Sequence, residues 1–356
     1  DAYDAQRRLG SAFNHPTPRT VELAEKMVEL IPCADWAAFG RNGSDVTTYA
    51  IQAAREKTQR RKIIVARGAY HGSHAWCTPG HGGLIEEDKR HILTFSWNDA
   101  TELEDLVKKH QGDVAGVMLT PHHHPAFEEQ ALPSPSFWPD VRRICDEHEV
   151  VLICDDIRDG FRLHMNGSGE YFGFVPDMMC FCKAIANGYS VSAIVGKEEM
   201  KAAASKVFFT GTYYTAAADL AAAMATLDEL QEVDAIDHMM KMGGMLCEGL
   251  VKRGDAHGLQ VKVTGPPTIP IPELRQRARL PAQPAVERGV RPSRRALPPP
   301  PQLVPDVRPQ GGGHPGLARR GRRGVRRGQE GVRELALVSG FSAERREVAD
   351  VEEAEG

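Results

Sequence analysis

Two short apolar runs, each ending at one charged residue, constrain this chain more than any other feature. The first, residues 150–154 (VVLIC), stops at Asp155, and the second, residues 178–182 (MMCFC), stops at Lys183. Such runs are typical of strands buried on both faces of a parallel sheet. Because ligands bind beyond the carboxyl ends of these strands, a carboxylate and a lysine reach the edge where chemistry is expected. The same pattern also fits two charges that merely face solvent.

Segments with helical and strand patterns alternate along the rest of the chain. The predicted strands are 36–40, 62–66 and 114–119, and the predicted helices are 18–31, 45–57, 99–109 and 137–148. This alternation predicts an α/β fold with a doubly wound parallel sheet. A chain of 356 residues with 41% hydrophobic content can form one large domain of this kind and a smaller one.

The turn 41–45 (RNGSD) is a candidate phosphate site, because it joins a predicted strand to a helix that starts at Asp45. Unpaired N–H groups at a helix N-terminus bind anions, and the Ser44 hydroxyl adds a donor. Gly43 lets a phosphate come close to the backbone. The alternative is an ordinary helix cap, with Ser44 or Asp45 as the capping residue.

Three adjacent histidines, His122 to His124, suggest a metal at first sight. Neighbours in an extended loop point in different directions, however, and zinc ligands are typically spaced along the chain. We therefore predict no metal site here.

Nothing in the sequence suggests a membrane or an oxidising compartment. The apolar runs are too short to span a bilayer, and no signal-peptide pattern follows Asp1. The seven cysteines lack the spacing of a disulfide framework, which favours reduced thiols. We therefore predict a cytoplasmic protein without a membrane partner.

The motifs in residues 17–270 resemble those of the class III pyridoxal-phosphate aminotransferases, nearest the glutamate-1-semialdehyde 2,1-aminomutase-like branch. Segment 155–162 (DDIRDGFR) resembles the family's D-E-V-x-T-G-F-R, and segment 182–189 (CKAIANGY) its G-K-A-I-x-N-G-Y. Shorter segments are similar to the family's N-S-G-S-E, Y-H-G, E-Y-F-G and G-T motifs, at residues 42–45, 70–72, 170–173 and 211–212. Several motifs in the family's order and spacing make this resemblance specific.

The resemblance implies a PLP-dependent transferase fold of type I, with a mixed, mostly parallel sheet and helices on both faces, and pyridoxal 5'-phosphate as cofactor. Lys183 would hold the cofactor aldehyde as a Schiff base and then shuttle the substrate's α-proton. Asp155 would pair with the pyridine nitrogen and keep the ring an electron acceptor. The other implied cofactor-binding residues are Gly43 and Ser44 at the phosphate, Ile157 and Tyr70 on the ring faces, His71 beside Tyr70, and Thr212 at the phosphate of a partner subunit.

The implied function is an aminotransferase or 2,1-aminomutase that acts on an amino acid or amino-aldehyde as a homodimer. A racemase or epimerase is the alternative within the same chemistry. The sequence departs from the family where Asp156 replaces the usual Glu and where Arg158 and Asp159 follow Ile157. Thr120 precedes Pro121 in place of a common Glu. These departures concern substrate identity more than the cofactor.

The resemblance also divides the chain. Residues 1–16 are interpreted as the remnant of a truncated N-terminal segment, 17–230 as the large PLP-binding domain, and 231–270 as the start of the small domain. Residues 271–356 form an Arg/Pro/Gly-rich tail that we expect to be disordered, so that the small domain does not form.

The tail has the composition of a GC-rich reading frame translated out of phase. After Ile271 it contains no Lys, Asn, Tyr, Met, Ile, Thr, Cys or Trp. Shifting the frame of GC-rich codons for an H-P-H-H-N-W-F-L-T-S-A-H-K-E-like run of the related branch yields residues 298–311. We therefore predict a frameshifted translation over about 271–330, which resequencing the coding DNA tests.

Two other function classes compete with the enzyme. The Arg/Gly cluster at 319–327 (RRGRRGVRR) is typical of segments that bind nucleic-acid backbones, but a frameshift accounts for it without a nucleic-acid partner. An inactive, truncated or frameshifted homologue that keeps the fold is the other alternative.

Overall fold

The computed structural model describes residues 1–13, 15–80, 82–125 and 129–275. Its helices are α1 Ala2–Leu9, α2 Pro18–Leu30, α3 Gly43–Thr58, α4 Glu86–Lys89, α5 Ala100–Lys109, α6 Phe137–Glu147, α7 Ser168–Phe172, α8 Glu198–Ala204, α9 Ala217–Glu232 and α10 Ala235–Ala256. Its strands are β1 Trp36–Gly40, β2 Lys62–Ala66, β3 Ile92–Phe95, β4 Val114–Leu119, β5 Val151–Asp155, β6 Met178–Phe181, β7 Ser192–Gly196, β8 Gln260–Thr264 and β9 Ile271–Arg275. A short 3-10 helix spans Lys183–Ala186.

Seven strands form one mixed sheet in the order β1-β7-β6-β5-β4-β2-β3. Only β7 runs antiparallel to its neighbours β6 and β1, and the other pairings are parallel. This arrangement confirms the predicted α/β fold with a mixed, mostly parallel sheet. The carboxyl ends of β5 and β6 are adjacent at its centre, with Asp155 opposite Cys180.

Strand β5 is buried on both faces, and its side chains alternate between two apolar cores. Leu152 and Cys154 belong to the core beneath α2, α5, α6 and α9, whereas Val151 and Ile153 belong to the core beneath α3 and α8. Burying each large aliphatic side chain stabilises the fold by about 1.5–3 kcal/mol. The end of β5, which carries Asp155, is therefore firmly positioned.

The start of α3 differs from the prediction. The helix begins at Gly43, not Asp45, and its N-cap is Asn42. The Asp45 carboxylate accepts hydrogen bonds from the backbone N–H groups of Arg41 (3.0 Å) and Asn42 (2.8 Å). Ser44 and Asp45 are thus helical residues, and the interpretation of either as the cap is wrong.

The C-terminal part of the described chain is α10 followed by an antiparallel hairpin. Strand β9, Ile271–Arg275, pairs along its whole length with β8. Residues 271–275, where the predicted tail begins, are thus paired strand. The remainder of the predicted frameshifted and disordered region lies outside the described residues, and the domain boundaries stay predictions.

All seven cysteines are free thiols, in agreement with the absence of a disulfide framework. Burial raises the pKa values of Cys33, Cys77 and Cys145 to about 12, so these thiols are unreactive. Within the described ranges, no helix combines the length and apolar character needed to cross a bilayer.

Candidate active site

A cavity of about 320 Å³ opens at the carboxyl end of β5 and at Cys182 and Lys183, which directly follow β6. Residues of the α3 N-terminus and of the loop 70–74 complete its walls. Seven of the eight predicted site residues line it, namely Gly43, Ser44, Tyr70, His71, Asp155, Ile157 and Lys183. The two strand-end charges of the sequence are thereby brought into one cavity.

Lys183 is held in an unusual backbone conformation. It follows β6 as the first residue of the 3-10 helix, with φ +49°, in the left-handed region. That conformation costs roughly 1–2 kcal/mol for a residue with a Cβ, so the surrounding fold must impose it. Burial lowers the pKa of the Lys183 amine, Asp155 opposes the shift, and Arg158 and Arg162 add to it. The amine therefore gives up its proton more readily than a surface lysine.

Lys183 also lines a second, larger cavity of about 710 Å³. Helix α1 contributes Tyr3 to this cavity, and the Tyr3 ring stacks on Tyr189 at a centroid distance of 4.6 Å. The amine thus has open space beside it in two cavities, one of which contains the α3 N-terminus.

Asp155 is buried and bound to His71. His71 Nδ1–H donates to Asp155 Oδ2 at 2.7 Å, and the other carboxylate oxygen accepts from Ile157 N–H at 3.2 Å. The loop that carries His71 is fixed to α3, because Thr47 Oγ1 donates to the His71 carbonyl at 2.8 Å. His71 thus acts on the cavity through Asp155, a geometry that the Y-H-G motif alone did not reveal.

Close packing at two glycines shapes the wall near the α3 N-terminus. A Cβ at Gly43 would lie 2.7 Å from Ile157 Cδ1, and one at Gly72 would lie 2.5 Å from Ser44 Oγ. Gly72 also has φ +129°, which side chains rarely adopt. Ser44 Oγ accepts a hydrogen bond from Ser73 N–H at 3.0 Å, so loop and helix terminus form one cradle.

Two of the predicted residues occupy the outer part of the site. Tyr70 is 43% exposed at the cavity wall. Thr212 is exposed and does not line the cavity. The predicted role of Thr212 lies at the phosphate of a partner subunit, so it stays a prediction.

The three consecutive histidines make three different sets of contacts, as expected for neighbours in an extended loop. His122 Nδ1 is 2.8 Å from Asp159 Oδ2, and its Nε2–H donates to Gln130 Oε1 at 2.5 Å. The His123 ring stacks on Trp97 at 5.3 Å. His124 alone lines the cavity.

His124 and Arg158 are among the cavity residues that were not predicted as site residues. A signal for Arg158 is present in the sequence, since this residue lies within the departure from the family's D-E-V-x-T-G pattern. His124 was considered only as a metal ligand. A loop histidine's direction depends on tertiary contacts, here the buried His122–Asp159 hydrogen bond, that no local pattern contains.

Comparisons with known proteins place the chain in a family. Residues 9–266 match the model of the family "Aminotransferase class-III". The chain is 40% identical over 269 residues to an aminopentol aminotransferase of Sphingopyxis macrogoltabida, with 76% of this chain and 64% of the relative covered. It is 32% identical over 277 residues to a glutamate-1-semialdehyde 2,1-aminomutase of Syntrophobacter fumaroxidans, with 73% and 63% covered. The chain therefore spans less than two thirds of these relatives' length.

The fold comparison agrees. A solved structure of the FumI protein of Sphingopyxis sp. MTA144, described as its PLP internal aldimine form, superimposes with a TM-score of 0.75 at 40% identity. The match covers 77% of this chain and 66% of that one. The type I fold predicted from the motifs is thus confirmed, and the pyridoxal phosphate of that relative supports the predicted cofactor. On the family match and these identities, the chain belongs to the class III aminotransferases.

Proposed function

We propose that this protein is a PLP-dependent enzyme that acts on the amino group of an amino acid or amino-aldehyde, as an aminotransferase or 2,1-aminomutase. One observation carries the proposal: Lys183, Asp155 and the α3 N-terminus line a single cavity. A lysine amine, a buried carboxylate and an anion-binding helix terminus are the three groups that this cofactor requires.

The residues present fit pyridoxal phosphate. The cradle at Gly43 and Gly72 is too tight for a Cβ, and the first turn of α3 that lines the cavity has backbone N–H groups without intrahelical partners. Serine hydroxyls and helix N–H groups are donors suited to a phosphate. The cavity volume is also within the range of small-molecule sites, roughly 300–1,000 Å³.

Each cavity residue then has a distinct task. Gly43 and Ser44 would bind the phosphate, Asp155 the pyridine nitrogen, and Lys183 the aldehyde carbon. Ile157, which packs against Gly43, would contact one ring face, and Tyr70 the other. When bound, the cofactor supplies an aromatic ring that accepts the electron pair released as a substrate C–H bond breaks.

The chain's own groups control the proton. His71 donates to Asp155 and thereby keeps the carboxylate oriented toward the ring nitrogen. The lowered pKa of Lys183 gives its Nζ a larger neutral fraction, which can take a proton from a carbon and return it. Burial of Asp155 shields its contact with the ring nitrogen from water.

Relatives of both activities support the two forms of the proposal, and the aminotransferase is the more similar one. Return of the proton to the substrate carbon from the other side gives the alternative, a racemase or epimerase. An inactive homologue is the further alternative.

We further propose a cytoplasmic homodimer, with residues 17–230 as the large domain and 231–270 as the start of the small domain. Seven free thiols support a reducing compartment. The segment around Thr212 is a candidate subunit interface, because Phe208 is 92% exposed and Tyr213 59% exposed beside it.

Purified full-length protein, incubated with pyridoxal phosphate and an amino donor, tests the function. We expect a visible absorbance band that changes on adding donor, together with a keto product or an isomerised amine. The Lys183→Ala variant should lose both, whereas Lys206→Ala, which removes an exposed lysine, should keep both. A wild-type protein that neither absorbs nor reacts, like Lys183→Ala, contradicts the proposal.

A further inference from the structure

Two polar side chains of the Lys183 cavity are not used by the proposed cofactor contacts. Arg158 is half-buried, and among the described residues its guanidinium makes no hydrogen bond or ion pair. His124 is more than nine-tenths buried, and its Nε2 has no partner within the described chain. Buried polar atoms without partners are costly, so such atoms facing a cavity indicate a ligand.

A buried hydrogen bond joins the two loops that carry these side chains. His122, two residues before His124, bonds through Nδ1 to Asp159, the residue after Arg158, at 2.8 Å. Both members of that pair are fully buried. The loop that carries His124 is thus cross-linked to the loop that carries Arg158.

Further hydrogen bonds fix both loops on the side away from the cavity-lining side chains. Gln130 accepts from His122 Nε2–H at 2.5 Å, which fixes the histidine ring on its far side. The Arg158 carbonyl accepts from Arg162 Nη1 at 2.7 Å, which fixes the backbone where Arg158 begins. Anchoring of the backbone on both sides preorganises the two free side chains.

The charges around these side chains favour an anion. Burial lowers the pKa of His124 to about 2, and His122 and Arg158 add to the effect, so His124 is a neutral imidazole that can donate one hydrogen bond. Burial is the main cause of the lowered pKa of Lys183, Asp155 opposes it, and Arg158 and Arg162 add to it, so both guanidinium groups are close enough to act on the amine. Two carboxylates of this region already have histidine partners, Asp155 with His71 and Asp159 with His122.

We propose that Arg158 and His124 bind a carboxylate of the amino substrate, and that the substrates are therefore amino acids, not simple amines. The guanidinium would bind one or both carboxylate oxygens, and the His124 imidazole would donate to one of them. This inference rests on the proposed function, since Lys183 is where the substrate's amino group would arrive.

Matched compounds that differ only in the carboxylate test the inference. The probes are 4-aminobutanoate against butylamine as substrates, and butanoate against the neutral butanamide as non-reacting ligands. For the holoprotein we expect kcat/KM to favour 4-aminobutanoate. Arg158→Gln should raise KM for the acid by about ten- to hundredfold, as for loss of a hydrogen bond to a charged group, and leave butylamine unchanged. Arg158→Lys should restore part of the difference.

Direct binding keeps the test independent of turnover. Butanoate is titrated calorimetrically in phosphate buffer, so that phosphate occupies the anion site at the α3 N-terminus and butanoate does not. The wild-type protein should bind butanoate, and Arg158→Gln and His124→Asn should each bind it more weakly. Butanamide should not bind. If Arg158→Gln folds poorly, Arg158→Lys and His124→Asn decide the matter. Absence of a cofactor at Lys183 would contradict the proposed function but not this binding.

Two outcomes overturn the inference itself. In the first, butanoate affinity and the acid-to-amine ratio are the same in wild type, Arg158→Gln and His124→Asn. In the second, Arg158→Gln alters the absorbance of the bound cofactor but leaves that ratio unchanged, which would assign Arg158 to the cofactor.

Discussion

Replacing Gly72 by alanine is the sharpest test of the cradle at the α3 N-terminus. The added Cβ would lie 2.5 Å from Ser44 Oγ and 3.1 Å from Ser44 Cα, and the residue would have to keep φ +129°. The Ser44 backbone cannot move away easily, because it belongs to the first turn of α3. We therefore expect the loop to shift outward and to weaken the hydrogen bond from Ser73 N–H to Ser44 Oγ.

The cost follows from three contributions. An unfavourable positive φ costs about 1–3 kcal/mol, and overpacking costs about 1–3 kcal/mol. Weakening the Ser73–Ser44 hydrogen bond adds up to about 1 kcal/mol. Partial relaxation makes these contributions overlap, so we expect a total of about 2–4 kcal/mol. If about 2 kcal/mol of this cost is lost from the free energy of cofactor binding, the dissociation constant of pyridoxal phosphate rises about thirtyfold.

The assay is a titration of each cofactor-free protein with pyridoxal phosphate, combined with urea unfolding. Two glycines provide controls: Gly83 has φ +77° but no atom within 4 Å of its Cβ position, and Gly82 has open space and no positive φ. Gly83→Ala should show only backbone strain and Gly82→Ala almost nothing. If Gly72→Ala matches Gly83→Ala in both measurements, the cradle does not hold the phosphate as described.

Three further predictions concern the buried polar groups. His71→Ala should lower the free energy of unfolding by about 3–5 kcal/mol, because it removes the only side-chain partner of the buried Asp155 carboxylate among the described residues and leaves Oδ2 without a donor; urea unfolding measures this. His124 should make the fold acid-sensitive: the unfolded side chain takes up a proton near pH 6.5, but the folded one does so only near pH 2. Stability should therefore fall by about 2 kcal/mol between pH 7 and pH 5, and fall less in His124→Asn. Gln130→Ala should cost about 1–3 kcal/mol, since Gln130 Nε2 also donates to the Ile269 carbonyl at 3.2 Å; a thermal melt equal to wild type would contradict this.

The central strands and the charged residues at their ends could be predicted from the sequence, because strands buried on both faces appear as unbroken apolar runs. Every residue of β5 is buried, so its apolar run is unbroken up to Asp155. The motif resemblance supplied what periodicity could not, the joint presence of the phosphate turn and Lys183 in one cavity. Seven of the eight predicted residues indeed line that cavity.

Other features were beyond local reasoning. Strand β3 is short and mostly half-exposed, so its four residues carry little pattern. Strand β7 is fully buried, but only Ile194 and Val195 are strong strand formers, and the flanking Ser192, Ala193 and Gly196 weaken the strand signal. His124 enters the cavity only because a partner distant in sequence, Asp159, fixes the preceding loop.

Peptide mapping after borohydride reduction tests the central claim most directly. The full-length protein is incubated with pyridoxal phosphate, reduced, digested and analysed by mass spectrometry. The account predicts that the cofactor mass is carried by the peptide containing Lys183, and that Lys183→Ala protein carries none. Equal labelling of exposed lysines such as Lys206, with Lys183 unmodified, would contradict it.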